Sequence, residues 1–399
     1  MSTLVVPALV ASGVACAAAG PTAPDRPSPG VRIGRTEILA ARPPPRGLPL
    51  EEGYPIAVID PRPLTRVLRG DFEPPDTLVL AYEEDWLESI RQIVAAAAGQ
   101  TRVLLLSAGQ QARADAFRQL IADPHVDAFP GAFDSPWVRD YGPLQTYELT
   151  SGPLWLDFGY AWNRPQDDRL PSVLSSRMHA RVENPGFDLD GGAVISNGQG
   201  LCALTRTSLL DAGFADPDSE ELEVFLGSLG CHATAILPAI PGEPTGHVDV
   251  IAQFLATDLA MVAWLDPNEN GELGRALDAV AEHLLTTATL ADYPLEIVRI
   301  PLQTSGETFF SYVNATRLRT RLLVPRFNEV PEELERHAYS LLALALPEAA
   351  IVPIDADVMV RLGGAVHCVT LGLGPTAASP PPVERARAEP RAPLTGRSG

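Results

Sequence analysis

The chain has 399 residues, 46% of them apolar and 20% charged, with a formal net charge of −20. That balance describes a globular protein and excludes disorder over the whole length. The acidity argues against a nucleic-acid-binding surface and suits a cationic substrate.

Residues 1–20, MSTLVVPALVASGVACAAAG, are apolar and rich in small side chains, like the core and cleavage region of an export signal. Gly13-Val14-Ala15-Cys16 loosely resembles a lipoprotein processing site, in which Cys16 would carry a lipid anchor. No Arg precedes the apolar run, so a disordered cytoplasmic leader is the alternative to an extracytoplasmic protein. Residues 21–50 carry many Pro, Arg and Gly with no period and read as a disordered linker. Residues 375–399 have the same character and read as a disordered tail. A foldable region over 51–374 remains, in which no apolar run approaches the ~20 residues of a membrane span.

Within it a pattern of strands, an amphipathic helix and a closing strand recurs. Thr77–Tyr82 reads as a strand; Trp86, Ile90, Ile93, Val94 and Ala97 follow at helical spacing, and 103–106 closes the unit. Residues 144–149 and 153–158 are strands of a degenerate unit, followed by a polar, proline-containing stretch. Residues 193–195 and 201–204 pair across Asn197-Gly198-Gln199-Gly200. Asp218 or Ser219 then caps a helix with Leu222, Phe225, Leu226 and Leu229 on one face, and 233–237 closes. The next unit has strands over 248–255 and 260–265, a helix bearing Leu273, Leu277, Val280 and Leu284, and a strand at 295–298. The last has strands over 309–314 and 321–325, a helix starting near Pro331, and a strand at 350–354. Five such units can close into a ring with no free end. A doubly wound sheet is the alternative, but no phosphate-binding glycine loop follows any strand.

The cysteines are Cys16, Cys202, Cys231 and Cys368. None lies at chelate spacing from another, so no metal site is expected. Cys202 and Cys231 are expected to be free core residues, pairing being the alternative for an exported protein.

Polar residues gather at the ends of the units. Trp137-Val138-Arg139-Asp140 offers an aromatic and a carboxylate able to accept two hydrogen bonds from a planar cation. A structural Arg–Asp ion pair at a turn competes with that reading. Asp188-Leu189-Asp190-Gly191-Gly192 offers a second carboxylate, which a plain turn explains almost as well. His247 and Asp249 stand two apart at an expected strand start, on one face, where they can divide proton transfer and cation binding. Gly246 is expected to free the approach to them. Asn314 interrupts an apolar strand with an amide that needs partners. Gly363-Gly364-Ala365-Val366-His367-Cys368 presents a thiol at a glycine-rich loop, either as a nucleophile or as an inert buried cysteine.

Taken together, these pieces resemble the agmatine deiminase and bacterial peptidylarginine deiminase family of the guanidine-modifying superfamily. They are Trp137-Val138-Arg139-Asp140-Tyr141-Gly142-Pro143, Asp190-Gly191-Gly192, Gly246-His247-Val248-Asp249, Tyr312-Val313-Asn314 and Gly363 to Cys368, in the family's order. The resemblance implies an α/β, five-bladed pseudo-symmetric propeller (pentein-like) of repeated strand-strand-helix-strand units. It implies Cys368 as nucleophile, His247 as general acid and base, and Asp140 and Asp249 as the carboxylates that hold a guanidinium. Asn314 matches a substrate-site residue of the peptidylarginine branch, and Trp137 and Asp190 belong to the same substrate set. The implied partner is a small-molecule or peptidyl guanidinium, with no cofactor and no nucleic acid; the sequence sets no oligomeric state. Three features depart from the family pattern. Asp190 stands where agmatine deiminases usually carry Glu, Phe72-Glu73-Pro74-Pro75 only echoes the N-terminal Pro-x-Glu-Trp signature, and no polar residue follows Thr370.

Overall fold

A computed structural model describes residues 55–108, 125–160, 162–216 and 219–376, together with the backbone of Arg32–Ile33. The expected export leader, Cys16 and most of the expected linker and tail lie outside these residues.

The described strands form five separate sheets. Each contains an antiparallel pair, then a parallel strand reached through a helix. Leu371–Leu373 pairs antiparallel with Thr77–Ala81, and Arg102–Leu106 follows parallel. The other four sheets repeat this with Leu144–Glu148, Gly152–Leu156 and Val182–Glu183; with Val194–Ser196, Leu201–Thr205 and Ala233–Leu237; with Ala252–Ala256, Leu259–Trp264 and Glu296–Ser305; and with Thr316–Arg317, Arg321–Arg326 and Ala350–Asp355. Parallel neighbours need a crossover, and the helix supplies it. The first sheet thus joins the last described strand, Leu371–Leu373, to Thr77–Ala81.

The helices follow from period and caps. In Glu220–Leu229, Leu222, Phe225, Leu226 and Leu229 are buried on one face. The Ser219 hydroxyl accepts from the Leu222 amide, and Gly230 ends the helix at φ +80°. Each helix covers the sheet of the preceding unit. Leu170 and Leu174 lie on Val79 and Leu104; Leu222 and Phe225 on Leu154 and Leu156; Leu277 and Val280 on Ala233 and Ala235. Ala338 and Leu342 lie on Ile297 and Ile300, and Ile90 and Ile93 on Leu323 and Ile354. Burying one such Leu or Ile contributes about 1.5–3 kcal/mol. No unit can bury its helix face alone, so the five are mutually dependent.

Four expectations are corrected. The polar stretch of the second unit forms helices Pro165–Asp168 and Leu170–Met178, so that unit is complete. Pro165 and Pro171 sit in first turns, where the missing N–H costs nothing. The strand expected over 309–314 stops at Ser311 and extends the preceding sheet, leaving Asn314 in a turn. The strand expected from Val248 begins at Ala252, and Val248–Val250 is a single 3-10 turn. Cys202 and Cys231 form a disulfide, at a Cα separation of 5.7 Å. Cys202 lies on the strand Leu201–Thr205 and Cys231 just before the neighbouring strand Ala233–Leu237, close enough to bond without backbone movement.

Candidate active site

Each unit presents a short turn just before its first strand, and these turns carry the polar residues singled out above. Val138–Tyr141 is one helical turn, stopped by Gly142-Pro143 before the strand from Leu144. Gly191–Ala193 and Val248–Val250 are 3-10 turns. Asn314 precedes Thr316, and Cys368 precedes Leu371. The turns of different units touch one another. The Arg139 amide donates to the Cys368 carbonyl (3.2 Å) and the His367 amide to the Asn314 carbonyl (3.2 Å). Asn314 Nδ2 donates to the Asp249 carbonyl (3.3 Å). The third turn bridges the rest. A Cβ on Gly192 would lie 2.7 Å from His247 Nδ1 and 2.8 Å from Asp140 Oδ1. Only glycine permits that approach.

All seven residues selected from the sequence lie in these turns, and contacts link them. Cys368 Sγ accepts from Asn314 Nδ2 at 3.2 Å and lies 3.7 Å from Asp249 Oδ2. Asn314 Oδ1 accepts from the amides of Ala365 and His367, both at 3.1 Å, and so pins the cysteine loop. A Cβ on Gly364 would lie 2.5 Å from the Trp137 ring and 3.1 Å from Sγ, so Trp137 walls the thiol. His247 Nδ1 is 3.5 Å from Asp140 Oδ1, and its Nε2 is 3.2 Å from Asp190 Oδ2. His247 and Asp249 meet these partners from the 3-10 turn, not from one face of a strand. Gly246 faces Thr207, with a Cβ there 2.6 Å from its methyl, and does not open the approach to His247.

The electrostatics follow from burial. Burial, reinforced by Asp190 and Asp249, pushes Asp140 up to about 7 despite the His247 charge. Burial alone would lower His247, but Asp140, Asp190 and Asp249 outweigh it and raise the imidazole to about 10. Burial, then Asp249 and Asp140, push the Cys368 thiol well up against the donors from Ala365 and Asn314. Asp140 Oδ1 and Asp249 Oδ1 are buried without a hydrogen-bond partner. Two unpartnered carboxylate oxygens beside a thiol are acceptors prepared for donors that a ligand brings.

Sequence reasoning passed over three neighbours. His367 Nδ1 lies 2.6 Å from Asp249 Oδ2, although His367 stood inside the cysteine motif. Asp71 takes the Arg139 ion pair at 2.8 Å, so Arg139 turns away from Asp140. Its only signal was its place beside the echoed N-terminal signature. Trp162 is 55% exposed and donates to Asp190 Oδ2 at 3.0 Å; a lone aromatic gave no signal. Among the described residues no group of His, Cys, Asp and Glu is arranged to hold a metal ion.

The sheet repeat is a fold shared with deiminases of known structure. The agmatine deiminase of C. jejuni superposes with a TM-score of 0.64 at 20% identity, covering 80% of this chain and 98% of that one. The agmatine deiminase of Enterococcus faecalis superposes with a TM-score of 0.68 at 20% identity, covering 78% and 97%. In sequence, the agmatine deiminase of Pseudomonas putida is 24% identical over 305 residues, 66% of this chain and 80% of that protein. The profile of the Porphyromonas-type peptidyl-arginine deiminase family matches residues 73–373. The chain belongs to that family.

Proposed function

We propose that the protein hydrolyses a guanidinium group to a ureido group and ammonia through a covalent cysteine thiouronium. The observation that carries this is the pair of carboxylates that act on the Cys368 thiol, Asp249 and Asp140, each with one buried Oδ1 that has no hydrogen-bond partner. A guanidinium is planar and donates from several N–H groups, so it suits two such acceptors. Its charge also removes the cause of the raised thiol pKa. Once the cation sits between Asp140 and Asp249, their field at sulfur is offset and the thiol releases its proton to solvent more readily, leaving a thiolate.

The thiolate then forms an S–C bond to the guanidinium carbon. His247, protonated at neutral pH, gives its proton to the departing nitrogen and ammonia leaves. The neutral imidazole takes a proton from water as its oxygen bonds to the same carbon. The S–C bond breaks, returning Cys368 and releasing the ureido product. Asp190 and Trp162 hold the outer side of His247, and Trp137 and Asn314 fix the sulfur.

The five sheets, with each helix covering the previous one, support closure as a five-bladed α/β propeller over residues 51–374. The Cys202–Cys231 disulfide supports a working place in an oxidising, extracytoplasmic compartment, with residues 1–20 as export leader and Cys16 as the lipid attachment point. An extracytoplasmic site favours peptidyl arginine over agmatine, a free amine, as substrate. Ammonia and ureido product are to be measured with agmatine, free arginine and a peptide containing internal arginine. Absence of both products with all three sinks the deiminase reading. A preference of about tenfold for agmatine, some 1.4 kcal/mol, overturns only the peptidyl substrate.

A further inference from the structure

Asp249 is the clamp carboxylate that an imidazole, that of His367, meets at hydrogen-bond distance. It is fully buried, with Oδ2 2.6 Å from His367 Nδ1 and Oδ1 without a partner. The terminal torsion of an aspartate is broad and two-fold, so burial alone does not decide which oxygen faces a ligand. An ionised carboxylate only accepts, so the short contact places a proton on His367 Nδ1, donated to Oδ2. That donor fixes Oδ2 and leaves Oδ1 as the free acceptor.

His367 is itself fastened on two further sides. Its amide donates to Asn314 Oδ1 at 3.1 Å, and Nε2, buried and without a hydrogen-bond partner, has the Asp71 carboxylate beside it at 3.7 Å as a charge contact. Asp71 is anchored by Arg139 Nη1 at 2.8 Å. Burial works against its charge, but Arg139, His367 and Arg69 hold its pKa low. The ring is 2% exposed and is fixed by the turns of three units. His367 also precedes the nucleophile directly. One dipeptide therefore sets both the sulfur and the carboxylate 3.7 Å away from it.

We propose that His367 is a positioning residue that orients Asp249 to bind the substrate cation, with Asp71 and Arg139 fixing His367 in turn. The proposal rests on the deiminase reading of the site, and its test separates the two. Cys368 is alkylated with a haloacetamidine, whose planar cation imitates a guanidinium, and with neutral iodoacetamide. The wild-type protein is expected to react faster with the cation. His367→Leu loses that preference and kcat/KM by about 100-fold, while its reaction with iodoacetamide is unchanged. His367→Asn keeps an N–H donor near the Nδ1 position and recovers to within about tenfold of wild type.

No preference in the wild-type protein defeats the clamp assignment itself. A wild-type preference that His367→Leu retains to within about threefold overturns the role of His367 alone. If the Leu variant does not fold, His367→Asn is compared with His367→Gln, whose longer side chain displaces the donor. Equal preference in those two variants overturns the proposal in the same way.

Discussion

Two imidazole–carboxylate clusters meet at Cys368, and they are built differently. His247 stands between Asp140 and Asp190 at 3.5 and 3.2 Å, beside a carboxylate oxygen that has no partner. His367 holds Asp249 at 2.6 Å, with Asp71 and Arg139 behind it. The first cluster is loose, charged and unsatisfied on the side that faces the thiol. The second is tight where His367 Nδ1 meets Asp249 Oδ2, while Asp249 Oδ1 and His367 Nε2 have no hydrogen-bond partner. Loose geometry leaves room for a proton to change hands; tight geometry holds a charge where a substrate needs it. The same two residue types thus serve chemistry in one place and orientation in the other.

The largest effect is expected where both clusters converge. Cys368→Ser should lower turnover by about 10⁴-fold or more without loss of folding, read by ammonia release and circular dichroism. A covalent adduct on another residue in the active protein would refute the assignment. His247→Gln should lower kcat by about 10²- to 10⁴-fold with substrate still bound. Equal behaviour of His247→Gln and His367→Leu, both losing binding and neither losing kcat alone, would erase the distinction between the clusters.

The pH profile sharpens the same contrast. Asp140, pushed up to about 7, is ionised for clamping only above that pH. His247, raised to about 10, keeps its proton only below that pH. The profile of kcat/KM should therefore be flat between the two values and fall by about tenfold per unit on either side. Asp140→Asn should remove the acid limb along with most activity. The folded protein binds the Asp140 proton more tightly than the unfolded chain, so ionised Asp140 opposes folding above its ordinary carboxylate range. The Asn variant should accordingly melt no lower than wild type at pH 8, by calorimetry.

The smallest effect on turnover is expected outside both clusters. Replacing Cys202 and Cys231 together with Ser opens a loop of 29 residues and should remove about 3 kcal/mol of stability in denaturant unfolding. Turnover should stay within about twofold, since the hydrogen bonds and ion pairs that link the site residues do not involve either sulfur.

Periodicity and caps lie within ten to twenty neighbouring residues, so the helices from Leu87, Glu220, Pro267 and Glu332 were legible in the chain. So was the ordered set of polar residues from Trp137 to Cys368, because each belongs to a short local motif. Where local signals conflicted, the reading failed. Prolines in first turns masked the helices at Pro165 and Leu170, and apolar runs at Val248 and Tyr312 concealed turns that neighbouring loops impose. The sequence by itself thus determined the repeat, the order of the motifs and the thiol, imidazole and carboxylates at the unit ends. Only the tertiary structure decided which of these side chains touch. Asp71 with Arg139, His367 with Asp249 and Cys202 with Cys231 lie far apart in sequence, separated by 68, 118 and 29 positions. Such contacts exist only once each helix has packed against a sheet of another unit, and no local window of the chain encodes that packing.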